Sequence, residues 1–72
     1  MAESQYVDVE KFDQWIDRSG YKIGFLADAL GLSREGFLKK RKGEVPFRKL
    51  EINELVSILG MTDEDRNEVF LP

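Results

Sequence analysis

An all-α domain of five short helices is the architecture this sequence predicts. Three observations predict it: apolar residues recur at helical spacings, capping residues and glycines punctuate those segments, and no apolar–polar alternation of useful length writes a strand.

Val9, Phe12, Trp15 and Ile16 fall on one face of a first helix, with Asp8 as its N-cap and Gly20 as its end. Ile23, Leu26, Ala27 and Leu30 write the second, which stops at Gly31, a residue able to take the left-handed conformation. Ser33 caps a third helix that runs through Phe37 to about Lys42, where Gly43 closes it. The stretch Glu44-Val45-Pro46-Phe47 is expected to be a loop, because Pro46 disfavours helix at Val45. Ile52, Leu55, Val56 and Leu59 build the fourth helix, ended by Gly60. Thr62 caps the fifth, where Asp63, Glu64 and Asp65 suit the positive end of the helix dipole and Val69 and Phe70 are available for packing. The expected core joins Leu26, Ala27, Leu30, Phe37, Ile52, Leu55, Val56 and Leu59 to Trp15 and Ile16.

Length and composition set the bounds. The 72 residues suffice for one domain, expected over 1–72 with 1–7 as a flexible amino-terminal segment. A composition of 42% hydrophobic and 35% charged residues is that of a folded domain. With no Cys and no His, disulfides, thiolate metal sites and the usual neutral-pH general base are all missing, so no catalysis, metal, cofactor or small-molecule substrate is expected. Asp63-Glu64-Asp65 lacks the spacing and central glycine of a calcium loop, and Asp13 and Asp17 read as a solvent face rather than an acid–base pair. No apolar run reaches the length of a signal core or membrane span, so a cytoplasmic protein with no membrane association is expected.

The joint between the second and third helices carries the functional information. A helix-turn-helix unit needs a small residue where the helices approach, a turn residue with positive φ, and apolar residues on both sides. Ala27, Gly31, the leucines 26, 30 and 32, and Phe37 meet those needs between Gly24 and Gly43. The stretch Phe25-Leu26-Ala27-Asp28-Ala29-Leu30-Gly31-Leu32-Ser33-Arg34-Glu35-Gly36-Phe37 resembles the Cro and lambda-repressor-like helix-turn-helix family of phages and prophages. Pro46-Phe47, Glu51 to Leu55 and Ile58 to Thr62 are similar to the helices that follow in that family, and the resemblance covers about Tyr21 to Leu71.

Charge is distributed unevenly. The net charge is -3, yet Ser33 to Lys49 holds seven bases against two acids, or +5, and the remainder holds four bases against twelve acids, or -8. A concentrated basic patch of this kind suits phosphates, although a lysine run on an exposed helix is also a common solvated face. The resemblance implies reading residues at Ser33, Arg34, Glu35 and Gly36, with Lys39 and Lys42 further along the third helix. Arg34 would take a guanine bidentately, Glu35 would accept from a cytosine amino group, and Lys40, Arg41, Arg48 and Lys49 would contact phosphates. Ser33 has helix capping as its simpler role.

Three positions depart from the family pattern: Ile23 stands where a polar phosphate-holding residue is common, Leu38 lies near the DNA-facing side, and Arg41 occupies a usual aliphatic core position. The size and mixed surface of the chain are similar to the small modulator-of-repression antirepressors of temperate phages of Gram-positive bacteria. Two functions are therefore expected from the resemblance. In one, a regulator of a lysis–lysogeny switch binds a phage repressor through Arg34, Leu38, Lys39 and Lys42, with at most weak DNA binding. In the other, a Cro-like protein binds double-stranded operator DNA directly through its third helix. A toxin–antitoxin or other helical interaction module is a third class.

Overall fold

The computed structural model describes residues 4–72, which form five helices and one small antiparallel sheet in the order β1 (Ser4–Gln5), α1 (Val9–Ser19), α2 (Ile23–Ala29), α3 (Arg34–Arg41), β2 (Phe47–Arg48), α4 (Lys49–Leu59) and α5 (Asp63–Val69). The helices stand where capping chemistry puts them. Asp8 accepts from the Lys11 amide at 3.2 Å, Ser33 from Gly36 at 3.0 Å and Thr62 from Asp65 at 3.1 Å, each satisfying an otherwise unpaired first-turn donor. Asp65 reciprocates at the Thr62 amide, 3.0 Å away.

Gly31 and Gly43 end α2 and α3 in the same way. Each has a positive φ, 71° and 80°, and the following amide reaches back over the last turn: Leu32 N–H to the Ala27 carbonyl at 2.9 Å, and Glu44 N–H to that of Lys39 at 3.0 Å. The two reversals fold α2 closely onto α3, and these two helices pack together more extensively than any other pair of elements. At Gly43 a Cβ would stand 3.2 Å from the Val9 side chain, so the end of α3 also approaches the start of α1.

The centre of the core is aromatic. Phe12 of α1, Phe37 of α3, Phe47 of β2 and Phe70 after α5 are all buried, and the Phe47 ring lies 5.4, 5.9 and 6.0 Å from those of Phe12, Phe37 and Phe70, in edge-to-face arrangements. Leu26, Ala27, Ile16, Ile52 and Leu55 surround this cluster as expected, together with Val7, Met61 and Val69. Trp15, Leu30, Val56 and Leu59 are only half-buried at its margin, and Val9 is exposed.

Two expectations are corrected. The strands are an addition to the all-helical reading: Ser4 pairs with Arg48 and Gln5 with Phe47, so the segment expected as a loop supplies a strand and the central phenylalanine. The segment 1–7, expected to be flexible, is tied down from Ser4 onward, with residues 1–3 outside the described range. Val7 is buried and bridges Phe70, the Asp8 amide donates to the Val69 carbonyl, and the Leu71 amide donates to that of Tyr6, both at 2.7 Å. Burial of Val7 and pairing of both backbone strands give the segment the partners that a free tail lacks. Among the described residues, no helix is long and apolar enough to cross a membrane.

Candidate functional site

The exposed side of α3 is built by its two ends. Ser33 fixes the entry by capping, and the exposed side chains Arg34, Glu35, Lys39 and Lys42 follow at helical spacing along one stripe. Leu38 belongs to the same stripe but is half-buried, lining a cleft of about 280 Å³ with Val9, Asp13, Arg41 and Lys42. Its position against α1 makes it a shared surface rather than a fully exposed anchor.

Lys40 is corrected from surface phosphate contact to interior ion pair. It is 8% exposed, its Nζ lies 2.6 Å from Glu51 Oε1, and its charge stands 5.9 Å from the Phe47 ring centroid. The cause is helical phase: Lys40 follows Phe37 by three residues and therefore shares the inward face, where only a carboxylate makes burial of an ammonium tolerable. Arg41, four residues after Phe37, is similarly occupied. Its Nε donates to Asp13 at 2.7 Å, which makes that aspartate a structural partner, while Asp17, 4.0 Å from the guanidinium with its side chain 77% exposed, stays on the solvent face expected for it.

Arg48 and Lys49 are exposed where β2 meets α4. The Arg48 amide donates to Glu51 Oε1 at 2.8 Å, which satisfies the start of α4. Arg48 and Lys49 share with Ser4, Leu30, Leu50 and Glu51 a cleft of about 510 Å³. The exposed charges between Ser33 and Lys49 are thus Arg34, Lys39, Lys42, Arg48 and Lys49, against Glu35 and Glu44.

Three surface features escaped the sequence reading. Leu50 is 79% exposed, and Tyr21 and Phe25 are 42% and 52% exposed with their rings stacked 5.0 Å apart at 27°. Phe25 and Leu50 both fall opposite the apolar stripes of their helices, which was the available signal. Tyr21 and Phe25 line a cleft of about 590 Å³ with Lys22, Gly24, Arg34 and Arg41 among its other walls. Among the described residues, no cluster of three or more His, Cys, Asp or Glu could hold a metal ion. Comparison with protein-family models, with curated proteins and with solved structures finds no match to this chain.

Proposed function

We propose that the protein is a non-catalytic regulator of a phage or prophage lysis–lysogeny switch, acting chiefly by binding a partner repressor, with α2, the Gly31 turn and α3 serving as its helix-turn-helix unit. The family resemblance of Phe25 to Phe37 supplies the biological setting. The observation that carries the partner reading is the composition of the exposed surface around α3. Lys40 and Arg41 are spent on Glu51 and Asp13, while the aromatic pair Tyr21–Phe25 stands in solvent beside Arg34 in a shared cleft. Aromatic residues and arginine are the side chains enriched in protein interfaces and their energetic centres, whereas a polyanion is bound mainly through cations and is repelled by the acidic remainder of the chain.

Direct operator binding is the second reading, and the joint exposure of Ser33, Arg34 and Glu35 at the start of α3 favours it. Arg34 would then discriminate guanine by about 1–3 kcal/mol, with Lys39, Lys42, Arg48 and Lys49 on phosphates. If the five exposed cations between Ser33 and Lys49 all neutralised phosphates, log K would fall by about 4.5 per decade of salt, at about 0.9 per phosphate. The separating experiment mixes the protein with the repressor of the same switch region, with its promoter DNA, and with both. Binding to the repressor without DNA supports the first reading; salt-sensitive, sequence-specific binding to promoter DNA alone replaces it with the second.

A further inference from the structure

The cleft at the start of α2 is bounded by side chains that the helical core does not use. Tyr21 and Phe25 stack on each other and leave large apolar faces in water, a placement that gives the isolated chain little and a partner a preformed aromatic plate. Gly24 lies beside them in the first turn of α2. A Cβ built there meets nothing within 4 Å and its φ is not positive, so neither sterics nor backbone conformation requires glycine. Helix propensity favours almost any other residue at such a position. A missing side chain at the wall of an open cleft does, however, let an outside group approach the backbone closely.

Charge selects the kind of group. The lining carries Lys22, Arg34 and Arg41 against the single acid Asp17, and Arg41 is already engaged by Asp13 and lies near Asp17. Among the described residues, neither Lys22 nor Arg34 has an ion-pair partner. Cations around an apolar plate complement an apolar side chain flanked by carboxylates, whereas the phosphodiester backbone of a duplex would bring the charge without the apolar group. Deepening the partner-binding reading above, on which it rests, we propose that the cleft formed by Tyr21, Gly24, Phe25 and Arg34 receives an apolar side chain from an acidic segment of the partner protein.

The test titrates the isotopically labelled full chain with two short acidic peptides that differ only in a central leucine or alanine, with a DNA duplex, and with the repressor of the same switch. The leucine peptide is expected to perturb the amide resonances of Tyr21 to Phe25 and Arg34, and to bind about tenfold more tightly than its alanine counterpart. Gly24→Leu, which fills the cleft, is expected to lower affinity for the leucine peptide and the repressor by about tenfold, with the melting temperature unchanged or raised. Phe25→Ser removes the exposed ring and is expected to have the same effect on binding. Wild-type affinity in both variants, or perturbations elsewhere, overturns the inference. A repressor that binds at another surface and tolerates both variants overturns the cleft alone and leaves the partner reading standing. Peptide binding in the cleft without repressor binding removes the repressor as occupant, and binding of neither overturns both. Perturbation of the cleft by the duplex alone, or by self-association on concentration, assigns it to nucleic acid or to a second copy and overturns the acidic-segment proposal.

Discussion

Lys40 Nζ and the Arg48 amide meet at one atom, Glu51 Oε1, at 2.6 and 2.8 Å. A single carboxylate oxygen therefore ties α3 to the first turn of α4 and holds the only charge that makes burial of Lys40 tolerable among the described residues. Removing one member of such a pair leaves the other charge uncompensated away from water. Lys40→Ala is expected to cost about 3–5 kcal/mol in urea denaturation. Its exposed neighbour supplies the control: Lys39→Ala is expected to change stability by less than about 0.5 kcal/mol. Equal effects of the two substitutions would return Lys40 to the solvated surface.

Phe47 touches each of the other three core phenylalanines, whereas Leu30 sits at the margin. Phe47→Ala is expected to cost about 3–5 kcal/mol, and Leu30→Ala less than the ~2–5 kcal/mol typical of a fully buried leucine. Thermal melts of the two variants give the order directly, and a Leu30→Ala chain less stable than Phe47→Ala would displace the aromatic cluster as the centre of the core.

Val7 joins the amino-terminal segment to Phe70 through a buried side chain and a backbone bridge. Val7→Ser is expected to lower stability by about 1.5–3 kcal/mol through lost apolar burial. Hydrogen exchange at the amides of Asp8 and Leu71, which donate to Val69 and Tyr6, should accelerate with it. Unchanged exchange at both amides would mean that the pairing does not depend on Val7.

The helices were legible because their signals are local. Asp8 and Gly20 bound α1, and Ser33 and Gly43 bound α3, by capping chemistry that depends on a few neighbouring residues. The strands were not, because two-residue strands are too short to write an alternating pattern and their pairing is made by backbone groups far apart in the chain. Arg34, Glu35, Lys39 and Lys42 are exposed, as the family resemblance implied for that face of the third helix. Lys40 was misread because composition outweighed phase: the basic run drew attention to its charge, while its spacing from Phe37 pointed inward. The same neglect of phase hid Phe25 and Leu50, whose apolar side chains stand opposite the core stripes of α2 and α4.

The central claim, that the surface around α3 binds a partner repressor rather than serving the fold, is tested most directly by the triple variant Arg34→Ala, Lys39→Ala and Lys42→Ala. All three side chains are exposed and none has an ion-pair partner among the described residues, so the melting temperature is expected to stay within a few degrees of the parent. Calorimetric titration with the repressor of the same switch, in the absence of DNA, is expected to show binding by the parent and a loss of about tenfold or more in the variant. Equal affinity for parent and variant, or no repressor binding by a parent that binds promoter DNA alone, would contradict the account.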